Sequence, residues 1–499
     1  MRSMTETELK FQVPPERVDA VRTDVHAGPD PVNTTRLQAA YFDTNDRVLA
    51  SAGIALRLRR EGTVWVQTVK AGTGDALVRL EHNAAREDET GNQVPALDLA
   101  AHDGTPAGKQ LMRALRKRST DELVCRYRTD IVRTWRRTAT DGTVVEIAFD
   151  EGTIIAGDAT TPVCELEFEL IEGSQETLLD VARTWVAAHG LWLETRSKAG
   201  RGGLLERGSL VAPARTAATM QLPAGARVDE GRRTIVAECL QQISVNASQV
   251  ASGAFADDHV HQLRVGLRRL RTASSLLPCD DDGLTHGATV LFRALGASRN
   301  QAAIAGPLGH QLSAAIKTAG LEYEVPTIAF DDATDPCTAV RDPASQAFLL
   351  DLITATLPTP SPGKQRSAAK QITRRLTGWH HAAVRDMTTF ATLDDPARHR
   401  LRRRCKRLRY GVEFSRSLFG RKRVARYLAA LEPVQQSLGE YNDICAAAEA
   451  LRGIDPMNPG IAFALGWLER QREVVADECA ETISRFLNVA GDTAWTTAD

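Results

Sequence analysis

Two patterns of residue type and spacing in this chain could do chemistry. The first is a set of acids and bases two residues apart. Glu6, Glu8 and Lys10 alternate with Thr7, Leu9 and Phe11, and Glu165, Glu167 and Glu169 alternate with Leu166, Phe168 and Leu170. A period of two puts every second side chain on the same face of a strand, so each run has a charged face and an apolar face. Aligned carboxylates repel one another unless cations sit among them, and hard divalent ions take carboxylate oxygens as ligands. A solvated outer face would explain any one such strand alone.

The second pattern is helical. On a helix of about 3.6 residues per turn, His261, Arg264, Arg268 and Arg271 fall within roughly 80° of one another, beside an apolar stripe of Val260, Leu263, Leu267 and Leu270. The same spacing returns at His399, where Arg402, Lys406, Arg407 and Arg409 stand as Arg264, Arg268, Arg269 and Arg271 do. Asp257 and Asp395 lie four residues before the two histidines and suit N-caps, with Pro396 at the first helical position. Both histidines then fall in a first turn, beside free backbone N–H groups and the positive dipole end, where an anion is stabilised. One such histidine alone would read as structural; two copies with matched basic stripes favour anion binding.

The elements that must position these groups follow from further alternation. Leu56 and Leu58 alternate with Arg57 and Arg59; Val64 to Lys70 ends in a base; Val78 to Asn83 puts Arg79, Glu81 and Asn83 on one face. Leu123 to Arg137 adds Arg128 and Arg133, which parity places on opposite faces unless a bulge intervenes. In Val144 to Asp150, Glu146 and Asp150 oppose Val145, Ile147 and Phe149. About eight strands, each apolar on one face and charged on the other, predict a closed antiparallel barrel with a polar lumen. Acids, bases, a divalent metal and a polyphosphate form a self-consistent set for such a lumen. Leu178 to His189 reads as an amphipathic helix that flanks or plugs it. Gly200 to Gly203 fits neither a dinucleotide fingerprint nor a Walker sequence. From Asp229 onward helical periodicity takes over, so the fold class is multi-domain α+β with an all-α second half made of two related parts.

Composition sets the bounds. A chain of 499 residues exceeds one core, and 43% hydrophobic residues suffice for globular packing. Net charge is -1, yet 398–409 holds eight Lys or Arg and no acid, so charge is segregated. Eight scattered cysteines without a Cys-x-x-Cys pair argue against a disulfide framework and a zinc ribbon. No apolar run approaches the roughly 20 residues of a membrane span. A reducing cytoplasm is the expected location, with association to polyphosphate granules.

The ordered motifs Glu6-Thr7-Glu8-Leu9-Lys10, Tyr41-Phe42-Asp43-Thr44, Leu56-Arg57-Leu58-Arg59, Lys70, Glu165-Leu166-Glu167-Phe168-Glu169 and Ser197-Lys198 resemble the CYTH domain of the triphosphate tunnel metalloenzymes. Asn83 departs from the pattern, which commonly has an acid there. The helical half resembles the CHAD domain, a histidine-bearing helical domain often fused to CYTH; Asn300 and Asn442 stand where that family commonly has aspartates. The expected domains are CYTH at 1–208, a linker at 209–228, CHAD at 229–490 and a tail at 491–499.

What the resemblance implies is a tunnel that hydrolyses inorganic triphosphate with Mg²⁺ or Mn²⁺, beside a helical domain that binds inorganic polyphosphate. Glu6, Glu8, Glu165, Glu167 and Glu169 would hold the ion, with Glu6, Glu8 and Lys10 at the chemistry. Arg57, Arg59, Lys70, Arg79, Arg128, Arg133 and Lys198 would grip phosphate oxygens. His261, Arg264, Arg268, Arg269, Arg271, His399, Arg402, Lys406, Arg407 and Arg409 would bind polyphosphate. Alternatives are a nucleotide or thiamine triphosphatase, an adenylate cyclase, or a non-catalytic polyphosphate-binding adaptor, for which Asn83 speaks. Nucleic acid is not the expected partner, because few aromatics interleave with the bases.

Overall fold

The computed structural model describes residues 5–62, 64–72, 78–86, 94–116, 118–278, 283–296, 307–323, 334–358, 366–452, 458–489 and 495; the side chains of residues 5, 6, 78, 79 and 307 also lie outside the description. The calls on Glu6 and Arg79 as side chains, on Asn300, and on most of the tail therefore fall outside the described residues. The chain divides into two compact units, the first being Met1–Arg215 with Leu240–Leu263 and Val340–Leu357, the second Thr216–Cys239, Arg264–Ala339 and Pro358–Asp499.

The first unit is built on nine antiparallel strands: β1 (Thr5–Gln12), β2 (Asn33–Asp43), β3 (Ile54–Glu61), β4 (Val64–Gly72), β5 (Val78–Arg86), β6 (Val124–Thr140), β7 (Thr143–Ala156), β8 (Ala159–Glu172) and β9 (Trp192–Leu193). Their order is β5-β4-β3-β2-β6-β7-β8-β1-β9, and β1 pairs additionally with β5 through Thr5↔Leu80, Glu6↔Arg79 and Thr7↔Val78. The ninth strand, two residues long, lies beyond the eight that alternation predicts: Trp192–Leu193 is too short to show a period.

The register aligns the charged positions. Glu8 faces Glu169, Lys10 faces Glu167 and Gln12 faces Glu165 across β1 and β8; Glu146 and Asp150 of β7 face Glu169 and Glu165; Arg133 and Arg137 of β6 face Asp150 and Glu146. Across β3, β4 and β5, Arg57 faces Thr68, which faces Asn83, and Lys70 faces Glu81. Cross-strand partners share a face, so these side chains line one continuous surface.

The opposite face is covered by helices. Short α1 (Val18–His26) and α2 (Val48–Ser51) precede α3 (Pro106–Leu115), whose Leu111 and Leu115 bury Leu56 and Val69. Then α4 (Gln175–His189), capped by Ser174, buries Leu178, Leu179 and Ala182, and its Trp185 meets Phe168 edge-on at 6.2 Å. It flanks the sheet on the apolar face. The helix on the charged face is α5 (Lys198–Leu205): Gly202 lies against Tyr127, where a Cβ would come within 2.2 Å of the ring. Only glycine allows that approach.

After it the chain is helical: α6 (Val228–Ala251), α7 (Asp257–Leu276), α8 (Gly283–Ala294), α9 (Pro307–Thr318), α10 (Pro336–Arg341), α11 (Pro343–Thr354), α12 (Ala368–Thr388), α13 (Asp395–Phe414), α14 (Arg421–Arg452) and α15 (Pro459–Val489). Among the described residues the second half is therefore helical and the chain α+β. The stretch before α6, poor in charge, is not loose: Asn246 and Gln249 of α6, both buried, bond the backbone of Arg215 and Ala212. No described helix is long and apolar enough to cross a membrane.

Candidate functional site

The centre of the charged face is a buried set of ions. Ser197 caps α5 by accepting from Gly200 N at 3.0 Å, which puts Lys198 in the first turn. Its ammonium lies among three carboxylates, donating to Glu165 and Glu167 at 2.8 Å each and pairing with Asp150 at 2.7 Å. Arg133 grips Asp150 with both Nε and Nη2 at 2.7 Å and also pairs with Glu167. Arg201, three residues after Lys198 on the same helical face, pairs with Glu165. Lys10 lies 3.8 Å from Glu165 and donates to the carbonyl of Arg196 at 2.5 Å.

Burial alone would raise the carboxyl pKa values here. Lys10, Lys198 and Arg201 outweigh it at Glu165, holding it to about 2, and Lys198 and Arg133 hold Glu167 well below the usual range. Burial likewise opposes the charge on Lys198 and Arg133, but the carboxylates raise both pKa values. Glu165, Glu167, Lys198 and Arg133 therefore hold one another ionised.

To one side the face turns basic. Arg57 reaches Tyr41 Oη at 3.3 Å, and Tyr41 stacks on Tyr127 at 4.8 Å. Burial would raise the Tyr41 phenol, but Arg57, then Lys198 and Arg59, lower it. Burial and Arg57 push Arg59 down, although Glu61 pairs with it. The potential around Tyr41 is positive.

To the other side it turns acidic. Burial, then Glu146, raise the pKa of Glu169, with Glu81 and Glu8 adding to the rise against Lys70. Lys70 pairs with Glu81 at 2.9 Å and Arg137 with Glu146 at 3.0 Å. Asn83 accepts from Thr68 at 2.7 Å and donates to Glu81 at 2.9 Å, so it orients that carboxylate.

In the helical part, His261 and His399 are both exposed. The expected cap is displaced. Asp394, not Asp395, caps α13 by accepting from Ala397 N at 2.8 Å, and Arg398 N already bonds Asp394 O, so His399 lies past the free N–H groups. Asp395 instead accepts from Tyr441 and Arg472, and His399 bonds Asn442. The basic residues divide. Arg264 bonds the carbonyl of Phe292 at 3.1 Å and covers its ring, Arg269 pairs with Glu238 at 2.7 Å, and Arg409 pairs with Glu413 at 2.8 Å. Arg402 is buried, and Arg268 and Lys406 are half-buried. Burial with Arg293 and Arg403 lowers the pKa of Arg271; burial with Arg404 and Arg375 lowers that of Arg407. Bases from separate helices therefore gather.

Comparison with known proteins now bears on both halves. Residues 4–202 match the CYTH domain model, and residues 234–452 match the CHAD domain model. The chain carries a CYTH domain followed by a CHAD domain. An inorganic triphosphatase of Haemophilus influenzae is 30% identical over 167 residues, covering 33% of this chain and 44% of that protein, so less than half of that relative's length is spanned. The crystal structure of the CHAD domain from the plant Ricinus communis is similar at TM-score 0.46 and 26% identity, covering 57% of this chain and 98% of that one. A Hippeastrum protein described as an adenylyl cyclase with a dominant triphosphatase activity is similar at TM-score 0.32 and 21% identity, covering 42% of this chain and 98% of that one.

Within the CYTH domain, the structure brings Lys10, Glu165, Glu167, Arg133 and Lys198 together, places Arg57 and Arg59 at the basic side, and Glu8, Glu169 and Lys70 at the acidic side. It does not bring in Arg128. The β6–β7 register runs without a shift from Arg128↔Ile155 to Arg133↔Asp150, so Arg128 lies on the opposite face and is exposed. Sequence reading passed over Asp150 and Arg201 as site residues. The alternation containing Asp150 and the three-residue step from Lys198 to Arg201 were the available signals.

The five carboxylates expected to hold a metal fall into different settings. Glu165 and Glu167 are neutralised by cations, Glu8 and Glu169 sit among other acids, and the side chain of Glu6 is outside the described residues. Among the described residues, no three His, Cys, Asp or Glu side chains are placed so as to hold a metal ion together. The donor chemistry of the acidic side, where Glu8, Glu81, Glu146 and Glu169 gather, nevertheless suits a hard divalent ion.

Proposed function

We propose that the CYTH domain hydrolyses inorganic triphosphate with Mg²⁺ or Mn²⁺ and that the CHAD domain binds inorganic polyphosphate. The observation carrying this is the single charged face, graded from Arg57 and Arg59 through the ionised centre to Glu8, Glu146 and Glu169. The pairing of β1 with both β8 and β5 supports closure of that face into a tunnel. The proposed bounds are CYTH at 1–208, linker at 209–228 and CHAD at 229–490. Seven cysteines among the described residues are free, which supports a reducing cytoplasm.

In this mechanism Arg57 and Arg59 grip terminal phosphate oxygens, while Lys198, Arg133 and Lys10 hold the middle of the chain. Asp150, Glu165 and Glu167 hold and aim those cations, so that little reorganisation precedes reaction. Glu8 and Glu169, with Glu81 and Glu146 behind them, would hold the ion. A divalent ion there would neutralise phosphoryl charge and lower the pKa of an attacking water. Lys10 binds substrate rather than acting as a base.

The adaptor reading rests on Asn83, yet this amide orients Glu81 rather than leaving the acidic side empty. Phosphate release from tripolyphosphate, ATP and thiamine triphosphate, with Mg²⁺, with Mn²⁺ and with EDTA, decides among the readings. Metal-dependent release from tripolyphosphate is expected. Binding of polyphosphate without any release favours the adaptor.

A further inference from the structure

Lys10 is aimed by a segment that the triphosphatase reading does not use. Its ammonium donates to the carbonyl of Arg196 at 2.5 Å, and its own carbonyl accepts from Glu194 N at 2.8 Å. What fixes residues 194–196 is the carboxylate of Glu194, which is 3% exposed. Its Oε1 accepts from Arg196 N at 2.8 Å and from Arg196 Nε at 2.9 Å; its Oε2 accepts from Arg196 Nη2 at 2.6 Å. Gln12 donates to Glu194 at 3.4 Å and to Glu165 at 3.0 Å, which ties the same carboxylate to the ionised centre.

The lock on Glu194 comes from α6. Ser248 Oγ donates to Glu194 Oε1 at 2.6 Å and accepts from Thr195 N at 3.1 Å, so one buried hydroxyl satisfies a carboxylate and a backbone N–H. Helices α10 and α11 hold the adjoining strand: Gln346 Oε1 accepts from Leu193 N at 2.8 Å, and the Arg341 guanidinium lies 3.8 Å over the Trp192 ring. Segments from the helical half of the sequence thus clamp residues 192–196, and β9 pairs β1 at Phe11 and Gln12, beside Lys10.

We propose that Glu194, locked by Ser248, is a positioning residue for Lys10, so that α6 completes the triphosphate site. The inference rests on the reading that Lys10 contacts the triphosphate. Without the hydroxyl, Glu194 Oε1 loses a partner and Thr195 N loses its acceptor. Residues 194–196 then relax, and the Arg196 carbonyl no longer holds the Lys10 ammonium.

The test uses the full chain with Ser248→Ala, Ser248→Thr and Glu194→Gln. Two readouts are taken: KM and kcat for tripolyphosphate with Mg²⁺, and the side-chain ammonium resonance of Lys10, identified by its loss in Lys10→Arg. Ser248→Ala and Glu194→Gln are expected to raise KM about tenfold with kcat nearly unchanged, as loss of one charge-assisted bond predicts. The Lys10 resonance should be protected from water exchange in the wild type and in Ser248→Thr, and lost in the other two. A purely structural role would lower kcat with the folded fraction and leave KM and the resonance of the folded fraction unmoved; that result overturns the proposal. An unresponsive resonance does so even in a fully active enzyme. A wild type that fails on tripolyphosphate while the resonance responds overturns the triphosphatase reading and sustains the positioning of Lys10.

Discussion

Glu167 and Glu169 are two residues apart on one face of β8 and live in opposite fields. Glu167 is held ionised by Lys198 and Arg133, whereas Glu169 is raised by burial and by Glu146, Glu81 and Glu8. Substitution by glutamine should therefore move stability in opposite directions. Glu167→Gln leaves two buried cations short of a partner and should destabilise the CYTH domain by about 3 kcal/mol. Glu169→Gln relieves repulsion and should raise Tm slightly when measured with EDTA, yet lower Mg²⁺-dependent turnover about 100-fold. Melting curves of both variants beside their turnover check this; a fall in Tm for both would show that Glu169 is not in an acid-rich field. The strand faces that carry these residues were legible from alternation alone, because the side-chain period of two is local. The split between Glu167, held ionised, and Glu169, raised by its neighbours, was not, since it depends on Lys198 returning on α5 about thirty residues later.

At the scale of elements, most of what the sequence hid lies where a short segment meets a strand. Asp43 of the Tyr41-Phe42-Asp43-Thr44 motif is not at the site; its carboxylate accepts from Leu49 N and Ala50 N at 2.9 Å and so caps α2, while Tyr41 faces Arg57. Adjacent acids blur caps, which is why Asp394 rather than Asp395 caps α13. A second short contact ties β5 to the turn before α3. Gln67 Oε1 accepts from Asp98 N, so its amide nitrogen faces His102 Nε2 at 2.8 Å. His102 must then carry its proton on Nδ1 and donate to His82 Nδ1 at 2.8 Å. Burial, then His82, lower the fully buried His102 from 6.5 to about 4. The unfolded chain therefore binds more protons between those values, and stability rises with pH across that window. Acidification from pH 7 should remove up to about 3 kcal/mol, levelling off below pH 4. His102→Gln, whose amide can both accept and donate, should flatten that slope in denaturant titrations at pH 5 and pH 7. An unchanged slope would locate the acid sensitivity elsewhere.

For the whole molecule, the internal repeat that the sequence displays so plainly does not translate into ten equivalent phosphate-binding residues. Arg264, Arg269 and Arg409 have protein partners that account for their position: the Phe292 carbonyl and ring, Glu238, and Glu413. Replacing them removes packing, the buried Arg269–Glu238 pair and the half-exposed Arg409–Glu413 pair, so lost polyphosphate binding there would report on folding. Arg271, Arg293 and Arg403 come from α7, α8 and α13, and burial, then Arg293 and Arg403, lowers the pKa of Arg271, as happens where bases gather. Such a gathering is what a polyanion relieves. Changing these three to Ala should weaken long-chain polyphosphate binding and lower the slope of log K against log salt by about 2, since each phosphate contact carries about 0.7 on a flexible single chain. Tm should hold or rise, because repulsion is removed. Mg²⁺-dependent tripolyphosphate turnover should stay nearly unchanged, as all three belong to helices of the second unit and none to the CYTH strands. Titrations at two salt concentrations beside turnover of the same variant separate the outcomes: unaltered binding would move the polyphosphate site off these helices, and collapsed turnover in a folded variant would show that catalysis and polyphosphate binding are not divided between the two domains.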